Sequence, residues 1–299
     1  MAVAFERIIV VVLENASRET VLQNQYMNNL RQKGVFLKNS SGCTHPSQPN
    51  YFAMTGGDLL GFNSDTSGWV TWYGHQSTNP TGTITSIVDL LEAKNISWKA
   101  YAEDLLSTDV AQYDPYDPTN IPSDHGNFAR RHVPFLSYPS IVGTTLTHEG
   151  SGSRAANIVN AQDNFEADVA VGTLPKFSFY TPNLINDGHS LPNGDPADAV
   201  VDQQQLINIA NFLQGFLSDD PISKFPPETL IVITFDEAYP VNVPYNIYTL
   251  LIGDMLQAGT TRMEPYNHYS LLRSIEDNFA LGTLGRNDDA ATPYWFLQV

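Results

Sequence analysis

Near its start the chain carries the run Ile8-Ile9-Val10-Val11-Val12-Leu13, which is apolar at every position and ends directly in Glu14-Asn15. Continuous β-branched residues are typical of a strand that is buried on both faces of a parallel sheet. The run is too short to cross a bilayer or to serve as a signal peptide. It therefore predicts a core strand that delivers two polar side chains to the edge of a sheet.

Further along the chain, apolar residues recur either with the spacing of a strand or with the spacing of a helix. Continuous or alternating segments predict strands at residues 35–37, 98–101, 176–180, 230–235 and 248–252. Helical spacing predicts helices at residues 21–30, with Gly34 as C-cap, and at 84–91, 206–217 and 271–279. This alternation predicts an α/β fold, a three-layer sandwich around a mainly parallel sheet, in one domain over residues 1–299.

The composition restricts the class of partner. Hydrophobic residues make up 42% of the 299 and charged residues 16%, which is the profile of a globular protein with a large core. The net charge of −17 argues against broad binding to nucleic acid or stable insertion into an anionic membrane. A small phosphorylated partner stays compatible, because a bound cation reverses the charge locally.

Cys43 is the only cysteine, so the chain forms no internal disulfide. This is compatible with an intracellular protein and equally with a secreted protein whose leader has been removed. The sequence does not indicate an oligomeric state.

Polar clusters directly follow three of the predicted strands: Glu14-Asn15, the stretch from Asn183 to His189, and Asp236-Glu237. In sheets of this kind, ligands bind beyond the carboxyl ends of the strands. One such cluster alone is explained as well by solvated loop residues, but three at equivalent places predict a site. Carboxylate and amide oxygens favour one divalent cation, Ca²⁺ or Mg²⁺ by preference, with Mn²⁺ and Zn²⁺ as alternatives.

A further segment, Cys43-Thr44-His45-Pro46-Ser47-Gln48-Pro49-Asn50-Tyr51, predicts a helix that begins near Ser47 or Asn50. The unpaired N–H groups of a helix start attract anions. Taken alone, Ser47 and Asn50 are explained as helix caps and His45 as a loop residue. Beside the acidic clusters, Ser47 becomes a candidate nucleophile, because a cation bridging its hydroxyl to a phosphoryl oxygen would lower the hydroxyl pKa.

Further motifs are Tyr101-Ala102-Glu103, His132-Val133-Pro134-Phe135, Pro182-Asn183, Asn186-Asp187-Gly188-His189 and the segment from His268 to Asp277. Taken in order with the clusters above, they resemble the phosphoesterase family. That family holds acid phosphatases and bacterial phospholipases C within the alkaline phosphatase superfamily. The resemblance covers nearly the whole chain.

The resemblance implies metal-assisted hydrolysis of phosphate monoesters, of the acid phosphatase type, through a phosphoserine. Ser47 would be the nucleophile, His189 and His132 would hold phosphoryl oxygens or protonate the leaving group, and Asp187 would orient a histidine. The implied metal shell is Glu14, Asn15, Ser47, Asp236 and Glu237. The implied substrate-binding residues are Asn15, His45, Asn50, Asn183 and His268.

Two alternatives stay open: a phosphodiesterase or phospholipase C using the same site, and a noncatalytic phosphate-binding or metal-binding protein. Family members often carry glycines after the Asp-Glu pair, whereas Ala238-Tyr239-Pro240 follows here, which leaves substrate choice open. The phospholipase branch usually has additional C-terminal domains, so we expect a small phosphatase. Glu103 is interpreted either as a site residue or as a cap for the turn after its strand.

Overall fold

The structure is a computed structural model that describes residues 4–65, 84–110, 124–142, 154–190, 203–239 and 245–297. Within these residues the strands form one eight-stranded sheet and a separate pair. In chain order they are β1 Arg7–Leu13, β2 Val35–Leu37, β3 Ser40–Ser41, β4 Trp98–Ala102, β5 Ile158–Asn160, β6 Phe177–Thr181, β7 Thr229–Phe235, β8 Leu250–Ile252, β9 Thr260–Arg262 and β10 Tyr266–Asn267.

The large sheet is parallel except at one strand. Its order is β5-β4-β6-β1-β7-β8-β2-β9, and β1 pairs in parallel with both β6 and β7. Only β8, among the strands described, runs antiparallel to its neighbours. The mainly parallel sheet is therefore confirmed, and the apolar run from Ile8 to Leu13 lies inside it, on β1, as predicted.

The α-helices of the described ranges cover both faces of the sheet. They are α1 Arg18–Val21, α2 Gln25–Leu30, α3 Ser47–Gly56, α4 Ile87–Ala93, α5 Pro139–Val142, α6 Ala161–Val171, α7 Gln203–Leu217, α8 Pro221–Lys224 and α9 His268–Asn278. The helix predicted at residues 21–30 is two helices, because Asn24 begins the second with a side chain that accepts the N–H of Met27. Helix α6 and the three-residue strands β5 and β9 were not predicted.

Gly34 follows the 3-10 turn Arg31–Lys33, as a C-cap would, but its backbone is extended, with φ −156°, and not left-handed. A Cβ at this position would lie 2.1 Å from the carbonyl oxygen of Leu251 on β8. Glycine is therefore needed because two strands approach closely, and not because a helix ends there.

Alternation along β1 explains the three layers. Ile8, Val10 and Val12 pack in one apolar cluster, with residues of α3, α4 and α9. The intervening residues, Ile9, Val11 and Leu13, pack in a second cluster with residues of α1, α2, α6 and α7. Because successive side chains of a strand point to opposite faces, one apolar run supplies both layers of the core.

The central strands end together at one edge of the sheet. The backbone N–H of Asp236 donates to the carbonyl of Leu13 at 3.0 Å, and that of Glu14 donates to the carbonyl of Asp187 at 2.9 Å. The residues that follow β1, β6 and β7 are thus held side by side. None of the helices described is both long and apolar enough to cross a membrane.

Candidate active site

Ser47 is the first residue of α3, which is one of the two helix starts, near Ser47 or Asn50, that the flanking prolines predicted. The N-cap is Pro46, so the serine hydroxyl is not used as a cap. Instead Ser47 Oγ donates to Glu14 Oε2 at 3.0 Å and lies 3.4 Å from Glu237 Oε1. The side chain is buried, and a helix start with a hydroxyl beside two carboxylates is suited to phosphate chemistry.

Glu14 is fully buried at the centre of the cluster. Its Oε1 accepts the hydroxyl of Tyr51 at 2.7 Å and lies 3.3 Å from His132 Nε2, while Oε2 lies 3.4 Å from His189 Nδ1. Burial raises the pKa of Glu14, but the two histidines and the Tyr51 hydroxyl outweigh burial and bring this pKa to about 2. Glu14 is therefore a carboxylate at any working pH.

Asn15 adopts a left-handed backbone conformation, with φ 53°, which asparagine tolerates better than most residues. This turn directs its backbone N–H to Asp236 Oδ1 at 3.2 Å and its side-chain Nδ2 to His189 Nδ1 at 2.8 Å. Its Oδ1 is buried and has no hydrogen-bond partner among the residues that the structure describes. Such an oxygen is available to a ligand.

Asp236 and Glu237 follow β7, and both are buried. Burial, together with the charge of nearby Glu14, raises the pKa of Asp236 well above its usual range. Burial also raises the pKa of Glu237, although His45 Nδ1 pairs with its Oε2 and opposes this shift. Asp236 Oδ2 is buried without a hydrogen-bond partner.

These donors fit a divalent cation. Three carboxylates are costly to bury together unless a positive charge lies among them, and the unpaired oxygens of Asn15 and Asp236 are hard ligands. Histidine nitrogens are also close, since ligand atoms of Glu14, His132 and His189 lie within 4.8 Å of one another. Glu14 therefore belongs to both possible sets of metal ligands, the one made of oxygens alone and the one that includes histidine nitrogens.

His132 and Asp187 lie deeper than His189. His132 is 1% exposed, stacks on Tyr51 with ring centroids 5.2 Å apart, and has its Nδ1 3.3 Å from Asp187 Oδ2. Burial lowers the pKa of His132 to about 3 despite the neighbouring Glu14, so its ring is neutral. Asp187 thus adjoins a histidine, as the resemblance implied.

His189 reaches the open side of the cluster, with 20% of its side chain exposed. The preceding Gly188 has φ 91°, and a Cβ there would lie 2.4 Å from Ile209 on α7. Glycine is therefore required for the turn that brings His189 back to the sheet edge. Asp187 Oδ1 accepts the backbone N–H of His189 at 2.7 Å and fixes the same turn.

Asn50 and His268, two of the implied substrate-binding residues, contact backbone groups. Within the described part of the chain, the Asn50 side chain bonds to backbone groups of Cys43, Thr44 and Pro46 and so organises that loop. His268 is buried, its Nε2 is 2.5 Å from the Asp236 carbonyl, and burial lowers its pKa to about 4.

Asn183 holds its own turn through Ile185 N and Asn186 N and donates to Asp104. Nothing in these contacts places Asn183 at the cluster, so its substrate-binding role stays a prediction, as do those of Asn50 and His268. His45 does reach the cluster, through Glu237. Of the bulky sequence after Glu237, Ala238 is buried in the core, and Pro240 lies outside the described residues.

Two residues of the site have no role in the sequence-based assignment. Tyr51 donates to Glu14, and its position four residues after Ser47, on the same face of a helix that starts at Ser47, is a signal that could have revealed it. Arg131 has its Nη2 3.5 Å from His189 Nε2. No local pattern distinguishes Arg131 from Arg130, which points to Leu136 and Ser137 instead.

A model of the phosphoesterase family matches residues 13–282, and the chain therefore belongs to that family. It is 30% identical over 291 residues to a probable acid phosphatase of Kluyveromyces lactis, covering 96% of this chain and 61% of that protein. It is 26% identical over 298 residues to a phosphatidylinositol-3-phosphatase of Mycobacterium tuberculosis, covering 97% and 83%. The chain spans about three-fifths of the length of the fungal acid phosphatases it matches.

Among solved structures, a protein of the alkaline phosphatase superfamily from Vibrio parahaemolyticus superposes with a TM-score of 0.56 at 13% identity. The superposition covers 96% of this chain and 70% of that chain. At this identity the likeness concerns the fold, and it confirms the α/β class.

Proposed function

We propose that this protein is a phosphatase that hydrolyses small phosphate monoesters through a phosphoserine on Ser47. The observation that carries the proposal is the Ser47 hydroxyl, which opens α3 and donates to Glu14 at 3.0 Å in a cluster with Glu237. The relatives named acid phosphatase and phosphatidylinositol-3-phosphatase support the same reaction class.

One divalent cation would be held by the oxygens that surround Ser47, those of Glu14, Asn15, Asp236 and Glu237. The unpaired Asn15 Oδ1 and Asp236 Oδ2 support this set. Oxygen ligands favour Ca²⁺ or Mg²⁺, and participation of a histidine would favour Zn²⁺ or Mn²⁺. When bound, the cation supplies positive charge that stabilises the phosphoryl group as charge develops and favours the ionised hydroxyl.

The chain's own residues account for the bonds and protons. Ser47 Oγ attacks phosphorus and the ester P–O bond breaks, while the Ser47 proton passes to Glu237, 3.4 Å away, which returns it to Oγ when the phosphoserine is hydrolysed. His189, in its protonated form, gives the leaving alcohol a proton from Nε2, the nitrogen that faces away from Glu14. In the second half-reaction His189 takes a proton from water, the water oxygen attacks the phosphoserine, and the Ser47 hydroxyl is restored as phosphate leaves.

His132 would act differently from His189. A group that is 1% exposed and lies between Glu14 and Asp187 is poorly placed to protonate a leaving group. We assign His132 and Asp187 to positioning Glu14, since His132 Nε2 faces Glu14 Oε1 at 3.3 Å.

The test is hydrolysis of a chromogenic phosphate monoester, with the matching diester in parallel, from acid to alkaline pH. The protein is assayed as purified, after chelation, and after adding back Ca²⁺, Mg²⁺, Mn²⁺ or Zn²⁺. We expect monoester turnover that is lost on chelation and restored by one of these ions, and a phosphate adduct on the Ser47 peptide after acid quench. Turnover of the diester alone, or none with any ion, would contradict the proposal.

A further inference from the structure

Arg131 lies on the open side of His189, opposite Glu14. Its Nη2 is 3.5 Å from His189 Nε2, and its side chain is 14% exposed. All 15 lysines and arginines of the chain lie in the described ranges, and Arg131 is the one that the structure places against the cluster around Ser47. A permanent positive charge thus adjoins a site that is otherwise lined by carboxylates.

In the contact between Arg131 and His189, both of the nitrogens that face each other are hydrogen-bond donors. His189 Nδ1 faces the amide Nδ2 of Asn15 at 2.8 Å and accepts its hydrogen, so a neutral ring carries its own hydrogen on Nε2. A protonated ring also carries a hydrogen there. Before turnover, neither form of His189 can therefore accept from the guanidinium, and the 3.5 Å separation is long for a hydrogen bond; Nε2 lacks a hydrogen only after it has protonated the leaving alcohol.

The other nitrogens of Arg131 are only partly engaged. Its Nη1 pairs with Asp124, but its Nε is buried without a hydrogen bond to any described residue, 3.8 Å from Asp65 Oδ2. Asp65 Oδ1 accepts the backbone N–H of Gln48 at 2.8 Å. These contacts hold the guanidinium between His189 and the first turn of α3, where Ser47 lies.

We propose that Arg131 is a substrate-binding residue whose guanidinium, together with His189 Nε2, takes oxygens of the phosphoryl group. Two converging donors that cannot bond to each other are satisfied by an anion placed between them. A guanidinium suits this role because its fixed fork of N–H groups matches phosphate oxygens. The inference rests on the proposed phosphatase function and adds a residue to it.

The experiment compares Arg131→Met and Arg131→Lys with a matched control, Arg273→Met. Arg273 is also a partly exposed arginine paired with a carboxylate, Asp277, but lies on the outer face of α9. For each variant, with the activating cation present, we would measure kcat and KM for the chromogenic monoester and competitive inhibition by inorganic phosphate. Calorimetric titration with inorganic phosphate measures binding without turnover, and thermal melting checks that each variant is folded.

We expect Arg131→Met to raise both KM and the phosphate inhibition constant by roughly ten-fold or more, with a smaller change in kcat, because the contact is made to bound substrate and transition state alike. For Arg131→Lys, KM and the phosphate inhibition constant should lie between those of the wild type and Arg131→Met, since lysine keeps the charge but lacks the fork of N–H groups. Arg273→Met should match the wild type. If Arg131→Met does not fold, the Lys variant carries the comparison.

Phosphate inhibition within two-fold of wild type in both Arg131 variants would overturn the proposal, even if kcat fell. The same conclusion follows if the wild type does not bind phosphate in the calorimeter. If the wild type binds phosphate through Arg131 but shows no turnover, the proposed phosphatase function fails while the anion-binding role of Arg131 stands.

Discussion

Glu103 and Asp236 are both buried carboxyl groups that follow a strand at the same edge of the sheet, yet their surroundings differ. Glu103, after β4, accepts hydrogen bonds from Tyr180 Oη at 2.9 Å, Asn183 N at 2.9 Å and Asn186 Nδ2 at 2.7 Å. Asp236, after β7, accepts one from the N–H of Asn15 at 3.2 Å and keeps an oxygen without a partner.

The difference separates a structural carboxylate from a ligand-binding one. Donors from β6 and the turn after it satisfy both oxygens of Glu103, although burial still raises its pKa. Asp236 faces other carboxylates, Glu14 and Glu237, and burial and their charges raise its pKa well above the usual range. Position after a strand is therefore not enough to identify a site; the supply of N–H and O–H donors distinguishes the two cases.

The largest effect should come from removing the hydroxyl beside the unpaired carboxylates. We expect Ser47→Ala to lower monoester turnover by about a thousand-fold or more, because the covalent partner is lost. The melting temperature should change little, since the hydroxyl contributes nothing to the apolar core. The matched control is Ser178→Ala, which removes a buried hydroxyl without a partner on β6 and should leave kcat unchanged. Near-wild-type turnover in Ser47→Ala would exclude Ser47 as nucleophile.

Next in size is the change at Asp236. We expect Asp236→Asn to lower turnover by about a hundred-fold and to abolish the rise in melting temperature that the cation produces in the wild type. At a cation concentration of a hundred times Kd, binding stabilises the wild-type folded state by about 2.7 kcal/mol. Without cation the variant should melt above the wild type, because repulsion among three buried carboxylates is reduced. Melting curves with chelator and with each cation measure both effects. An equal cation-induced rise in variant and wild type would remove Asp236 from the metal shell.

Glu103→Gln should give the opposite pattern and a smaller effect on turnover. In this variant an NH2 group replaces one acceptor oxygen and faces N–H donors. We expect the free energy of unfolding to fall by about 1–3 kcal/mol, whether or not the cation is present. The cation-induced rise in melting temperature should remain, and turnover should fall only a few-fold through movement of the Asn183 turn. Denaturant unfolding alongside Asp236→Asn makes the comparison. Loss of the cation response would mean that Glu103 also belongs to the metal site.

Glu276 is a third buried carboxyl group, which lies on α9, and we expect its replacement to leave turnover unchanged. Burial, with the nearby charge of Asp288, raises the pKa of Glu276 to about 9. The folded state therefore holds a proton that the unfolded chain loses above its ordinary pKa of 4.5. This contribution to stability is full below 4.5 and is lost as pH rises towards 9.

Glu276→Gln should remove that pH dependence, so the variant should melt a few degrees above the wild type at pH 8 and close to it at pH 4. Thermal melts across this range, with turnover as a control, test the assignment. Parallel melting profiles of the two proteins would show that Glu276 is not protonated in the folded state.

Much of the fold follows from local pattern. The periods of β1 and of α7 were sufficient to predict both elements, and the flanking prolines predicted a helix start near Ser47 or Asn50, of which Ser47 is the observed one. Strand β5 was not predicted, because only two of its three residues, Ile158 and Val159, are apolar, whereas all three residues of the predicted strand β2 are apolar. The structure brings Glu14, Asn15, Ser47, Asp236 and Glu237 together, whereas the substrate-binding roles of Asn50 and Asn183 stay predictions.

The sequence by itself determined the α/β class, the central strand and the presence of acidic residues at its carboxyl end, because each of these depends on neighbours within a few positions. Only the tertiary structure decided which of these acids share a site. Asn15 and His189 are 174 positions apart and meet through strand pairing, and Glu103 accepts hydrogen bonds from a turn that follows another strand. Hydrogen-bond donors and charges that arrive from distant segments determine what a buried carboxylate does, and no local pattern contains them.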